Sequence, residues 1–136
     1  MNLEDLSAVA VAAKIGLPVE QVFKTLLTTT GPNEHAFAVI PGDAELDFKK
    51  LARAAGARKA EMVSLKEVQP LTGYVRGGVT VFGAKKDFPV YADETIELFD
   101  LISVSAGHRG VQVLLAPGDY LRAANATVAD LTKDRS

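Results

Sequence analysis

Hydrophobic positions along the chain switch between a helical period and an extended one. Leu6, Val9, Ala10 and Ala13 fall at i, i+3, i+4 and i+7, the spacing that lines one helical face, and Gly16 supplies a stop. Pro18, with Glu20 close behind it, reads as the start of a second, short helix. Val22–Thr30 and His35–Ile40 are rich in β-branched and aromatic residues, and Gly31-Pro32-Asn33 between them reads as a hairpin turn. Pro41-Gly42-Asp43 breaks the chain again. Phe48, Leu51, Ala52 and Ala55 then form a helical stripe closed by Gly56, with Lys49, Lys50 and Arg53 on the opposite face and Arg58 and Lys59 just beyond. Ala60–Val63 is a short strand candidate. Ser64 with Glu67 three residues later is a capping box for a short helix. Residues 72–83 hold Gly73, Gly77, Gly78 and Gly83 and keep no steady period. Asp100–Ser105 and Val111–Ala116 read as strands around a glycine-containing turn, Gly118–Ala124 as a helix, and the end of the chain as a polar tail.

Hairpins and helical crossovers in one pattern predict an α/β fold with a mixed sheet flanked by helices. The 136 residues suit one domain spanning 1–136, since domains run to roughly 100–150 residues. No internal repeat, low-complexity tract or linker divides them. The 24% of charged residues beside 48% hydrophobic ones excludes a disordered chain. No stretch reaches the roughly 18–20 apolar residues of a membrane span, and the acidic opening Met-Asn-Leu-Glu-Asp is not a secretory leader. A cytoplasmic protein with no membrane partner is expected. The formal charge of −2 argues against binding DNA, or any nucleic acid, by bulk electrostatics, while leaving room for a local basic face.

Cysteine is absent, which removes thiolate metal sites and cysteine nucleophiles together. His35 and His108, the two histidines, lie far apart, so neither a metal nor another cofactor is expected. Ser105-Ala106-Gly107-His108 is not the G-x-S-x-G elbow of a serine hydrolase. The glycines also match neither the dinucleotide fingerprint nor the phosphate loop. Two features remain. Gly77-Gly78 and Gly107/Gly110 either form tight turns or let a ligand approach backbone N–H groups that could hold a developing oxyanion. Lys24 interrupts the apolar run Val22-Phe23-Lys24-Thr25-Leu26-Leu27; it either snorkels to the surface or points into a cleft, where its ammonium would anchor an anionic or carbonyl group.

Several blocks, in order, resemble the YbaK/prolyl-tRNA synthetase-associated editing domain family. They are Val22-Phe23-Lys24-Thr25-Leu26, Val39-Ile40-Pro41, Leu46-Asp47-Phe48-Lys49-Lys50-Leu51-Ala52, Thr72-Gly73-Tyr74-Val75-Arg76-Gly77-Gly78-Val79 and Ser105-Ala106-Gly107-His108-Arg109-Gly110. The resemblance runs from Ala8 to about Leu121. It implies a single α/β domain with a mixed, partly closed sheet and an aminoacyl-tRNA deacylase acting in trans on mischarged tRNA of the Cys-tRNA(Pro) or Ala-tRNA(Pro) type. Prolyl-tRNA synthetase is implied as a candidate docking partner. Two departures accompany it. Where the family's loop carries Gly-x-x-x-Pro, Gly77 here leads to Thr80-Val81, which bears on amino-acid specificity because proline fixes φ and removes a donor. Relatives also carry a further segment before the first helix, so a form shortened at the N-terminus is expected.

The resemblance makes Lys24 the essential lysine, holding the terminal adenosine's phosphate or ribose or orienting the ester. Gly77, Gly78 and Gly107 would turn N–H groups towards the ester carbonyl. Thr80, Ser105 and Arg109 would line the aminoacyl pocket, with His108 a solvated turn residue on the same loop. Asp93 is a candidate for the substrate's α-amino group; its alternative is an N-cap for a short Glu94–Leu98 helix. Lys49, Lys50, Arg53, Arg58 and Lys59 either receive the acceptor stem of tRNA or form the solvated side of an amphipathic helix. Two other functions compete: a non-catalytic module of the same fold that binds aminoacyl-tRNA, a nucleotide or a synthetase, and a deacylase for a different small ester.

Overall fold

The computed structural model describes residues 12, 16–64, 88–105 and 112–133. Strands β1 (Phe23–Gly31) and β2 (Glu34–Pro41) form the expected antiparallel hairpin. Asn33 takes the left-handed φ of 59° that closes its turn, a conformation asparagine tolerates better than most residues. One extra residue between the Thr29 and Gly31 pairs makes a bulge beside that turn. Before β1, Gly16 at φ 74° ends a helical turn by donating its N–H to Ala12 O, and Val19–Gln21 form a single 3₁₀ turn after Pro18.

Helix α1 spans Phe48–Ala55. Asp47 caps it by accepting from the Lys49 and Lys50 N–H groups, and Gly56, at φ 69°, terminates it. These are the local devices for a stop and a start at eight residues' separation. Strand β3 (Glu61–Met62) then pairs antiparallel with Thr28 and Thr29 of β1. Beyond it come β4 (Val90–Asp93), a 3₁₀ helix over Glu94–Leu98, β5 (Ile102–Ser105), β6 (Gln112–Leu115), helix α2 (Pro117–Ala124) and β7 (Thr127–Ala129). The Ser64/Glu67 capping box and the glycines between 72 and 83 lie outside the described residues.

Five strands form one mixed sheet in the order β3-β1-β2-β4-β7, with β4 parallel to both β2 and β7. β5 and β6 form a separate antiparallel pair. A parallel bridge from Val22 to Ser103 joins this pair to the start of β1, on the edge that β2 leaves open. Apolar side chains cover both faces of the larger sheet. On one face Phe23, Leu27, Phe37, Val39, Val90 and Ala92 pack with Ile96, Ile102, Val104 and Tyr120 of α2. On the other, Leu26, Ala38 and Ile40 pack with Leu51 and Ala52 of α1 and with Leu131. Burial on both faces explains why Ala36–Ile40 reads as a continuous apolar run rather than an alternating one.

The sequence pattern misses two elements. Val90–Asp93, too short to show a period, is an internal strand. The end of the chain is not merely a polar tail: β7 pairs with β4, and Leu131 is fully buried. Leu131 O accepts from Asp47 N at 2.7 Å, and Lys133 N donates to Glu45 O at 3.0 Å, so the segment is laced to the entry of α1.

Candidate active site

The site grows out of the pleat of β1. Alternation sends Phe23, Thr25 and Leu27 towards α2 and Lys24, Leu26 and Thr28 towards α1. Lys24 therefore shares a face with core residues, and it is only 9% exposed. Its Nζ donates to Gly42 O at 3.3 Å, in the turn directly after β2. Of the two sequence expectations for this lysine, snorkelling is excluded. Desolvating an ammonium costs several kcal/mol unless charge or hydrogen bonds compensate, so a lysine retained inside a packed face is a candidate site residue. Gly42, its carbonyl partner, is a site residue the sequence analysis did not single out; the Pro41-Gly42 break at the end of a strand was its only signal.

Strand register aligns two further candidates with Lys24. The Val22–Ser103 bridge is parallel, and the same register carried on by two residues would bring Ser105 alongside Lys24, with the pleat turning both to one face. Ser105 is buried, at 7% exposure. On the other side Lys24 pairs with Ile40, and the parallel β2–β4 register, carried one residue past Val39–Ala92, sets Asp93 beside Ile40. Carried on in this way, the registers line up Ser105, Lys24, Ile40 and Asp93 across four strands. Adjacent strands are about 4.8 Å apart, so Lys24 and Asp93 are about two strand spacings from one another.

Asp93 is 1% exposed, and its carboxylate is heavily engaged. Oδ2 accepts from Thr95 N at 3.2 Å and Thr95 Oγ1 at 2.6 Å, and Oδ1 accepts from Leu131 N at 2.9 Å. It is the N-cap of the Glu94–Leu98 helix and at the same time ties β4 to the end of the chain. Gly77, Gly78, Thr80, Gly107, His108 and Arg109 lie outside the described residues. Among the basic residues, Lys50 is taken up by Asp130 at 3.0 Å and Thr132 O at 2.7 Å, and Lys59 by Glu61 at 2.5 Å. Lys49, Arg53 and Arg58 are exposed.

Across the sheet, Thr25 meets Tyr120, the largest fully buried side chain. Burial pushes the Tyr120 phenol well above its ordinary ionisation range, and the Thr25 hydroxyl opposes that by a smaller amount. This face of β1 is structural.

Fold and site together define a small α/β domain that holds a largely buried lysine, bonded to a backbone carbonyl, at one end of a mixed sheet. Residues 5–123 match the aminoacyl-tRNA editing domain. The chain belongs to that family, and its enzymatic class is aminoacyl-tRNA deacylase, an ester hydrolase. It is 45% identical over 129 residues to EbsC of Enterococcus faecalis, proposed as a Cys-tRNA(Pro)/Cys-tRNA(Cys) deacylase, covering 95% of this chain and 79% of that one. Over 104 residues it is 33% identical to the multifunctional Ser/Thr-tRNA deacylase ProXp-y of Escherichia coli, covering 76% of this chain and 62% of the relative. A solved structure, proposed as a trans-editing enzyme for prolyl tRNA synthetase, superposes with a TM-score of 0.88 at 26% identity, over 98% of this chain and 84% of the other. No helix among the described residues is long and apolar enough to cross a membrane.

Proposed function

We propose that this chain hydrolyses, in trans, the ester joining a wrongly attached amino acid to tRNA(Pro), with a cysteinyl ester as its preferred substrate. The observation that carries the reading is Lys24, a buried lysine bonded to Gly42 O inside a chain of the editing-domain family. The choice of amino acid follows the 45% identity to a proposed Cys-tRNA deacylase, with Ala-tRNA(Pro) as the alternative substrate.

An aminoacyl ester is activated already, so placement and stabilisation of the oxyanion suffice. Lys24 holds the terminal adenosine, by its phosphate or ribose, or orients the ester directly. Ser105, its neighbour in the row, together with Thr80 and Arg109 lines the aminoacyl pocket. The N–H groups of Gly77, Gly78 and Gly107 face the carbonyl oxygen. Water, or the substrate's own thiol, attacks the carbonyl carbon; the C–O bond to the ribose breaks, and the ribose oxygen takes the proton. Asp93 is assigned to the scaffold, since its oxygens are occupied by Thr95 and Leu131. Prolyl-tRNA synthetase is the expected docking partner, supplying the tRNA choice that a chain of net charge −2 achieves poorly alone.

The test is release of amino acid from Cys-, Ala- and Ser-tRNA(Pro). Cys-tRNA(Pro) should turn over fastest, and Lys24→Ala should lower kcat/KM by on the order of 100-fold or more, the scale of a lost charged transition-state contact. Tight binding of the tRNA 3′ end without hydrolysis, or full turnover by Lys24→Ala, would sink the mechanism.

A further inference from the structure

Helix α1 begins in the loop that follows Gly42, the residue bonded to Lys24, and ends at Gly56, from which the chain reaches β3 beside Thr28 and Thr29. The helix therefore leads away from the Lys24 end of β1 towards the hairpin end. Lys49 and Arg53 sit one turn apart on its exposed flank, and Arg58, also exposed, follows the Gly56 stop. Lys50 turns from this flank to Asp130 and Thr132 O.

Four nearby acids engage groups other than the Lys49, Arg53 and Arg58 side chains. Asp47 accepts from the helix's own N–H groups, Glu45 pairs with Lys133 at 3.3 Å, Glu61 with Lys59 and Asp130 with Lys50. Lys49, Arg53 and Arg58 have no carboxylate partner among the described residues. At the far end, Arg58 and Lys59 line an open depression of about 590 Å³ with Thr29, Thr30, Gly56 and Ala57, and the carboxylates Glu34 and Glu61 stand on its wall. The flank bears no large apolar side chain of the kind a membrane-binding helix inserts, which favours a solvated polyanion.

We infer that Lys49, Arg53 and Arg58 form a track for successive phosphates of an RNA strand whose 3′ end lies at Lys24. The inference rests on the deacylase reading for the position of that end, but the track itself is a binding surface. Phosphate contacts supply affinity and register without sequence information, which suits a domain that takes its tRNA identity from elsewhere.

The experiment uses the full chain with Lys49→Glu, Arg53→Glu and Arg58→Glu combined, all at exposed positions, with thermal unfolding as the check on folding. Binding of uncharged tRNA is followed against salt, alongside turnover of Cys-tRNA(Pro) and of cysteinyl-adenosine, which has no phosphate track to engage. The triple variant should bind tRNA at least about tenfold more weakly, with the slope of log K against log salt reduced by about 2–3. KM for the charged tRNA should rise while cysteinyl-adenosine turns over as in the unaltered chain. Unchanged tRNA affinity and salt slope would overturn the track, and so would an equal loss on cysteinyl-adenosine. Absence of hydrolysis by the unaltered chain would instead sink the deacylase reading, because the tRNA-binding arm still judges the track.

Discussion

The two faces of strand β1 are made by alternate residues of one nine-residue segment, and they do different work. The face towards α2 carries Phe23, Thr25 and Leu27, packs against Ile102, Val104 and Tyr120, and lies in the larger of the two clusters. The face towards α1 carries Lys24, Leu26 and Thr28; it is as dry at its centre, yet opens with a lysine held under the Gly42 turn. Thr28 shows how a polar residue is kept inside at little cost, donating to Ala36 O at 2.8 Å. Lys24 is a different case, because a charged ammonium costs more to bury than a neutral hydroxyl. On the proposed mechanism, the difference means that stability and chemistry are partitioned by parity along the strand. A one-residue slip of register would exchange them.

Paired substitutions on neighbouring residues sharpen that partition most. Phe23→Ala removes a ring that is 2% exposed and stands edge-on to Phe99, with centroids 6.3 Å apart. It should cost about 3–5 kcal/mol in urea unfolding. Lys24→Met keeps the volume and removes the charge, so unfolding free energy should stay the same or rise while deacylation is lost. Comparable destabilisation by both would mean that Lys24 is a structural residue, and the partition fails.

Much of this arrangement is legible from local signals. The hairpin shows in Gly31-Pro32-Asn33, α1 in its stripe and Gly56, and the Asp93 cap in an acid placed before Glu94–Leu98. What escapes is non-local pairing. Val90–Asp93 is four residues long and Thr127–Ala129 three, too short for a period, and each is a strand only because a parallel partner lies far away in the chain. The direction of Lys24 was open for the same reason. Its neighbours are apolar on both sides, and only the packing of α1 and the Gly42 turn decides what that face meets. The alignment of Ser105 with Lys24 depends on a bridge between residues 22 and 103, which no spacing rule contains.

Asp93 gives the next largest effect and separates a scaffold role from a substrate role within the same row. Asp93→Ala leaves the N–H groups of Thr95 and Leu131 without their acceptor, at about 1–3 kcal/mol. Below the unfolding transition kcat/KM should change less than about threefold, since the carboxylate is committed to the fold. A loss of activity on the scale of Lys24→Ala, with stability intact, would move Asp93 to the substrate's α-amino group instead.

The smallest effect isolates the structural face by pH. Tyr120 is buried, and its phenol ionises well above the ordinary value of 10.0. The sign follows from proton counting: above about pH 10 the unfolded chain releases this proton while the folded chain keeps it, so the unfolded state binds fewer protons and stability falls as pH rises. Its contribution is complete below about pH 10 and is lost progressively as pH climbs through the folded value, at up to about 1.4 kcal/mol per unit. Tyr120→Phe should change stability at pH 7 by less than about 1 kcal/mol and should remove this alkaline slope. Unfolding of the two chains between pH 8 and 12 measures the difference, which cancels the lysines they share. Equal slopes would show that the Tyr120 hydroxyl reaches solvent, and the face towards α2 would then be less dry than its packing implies.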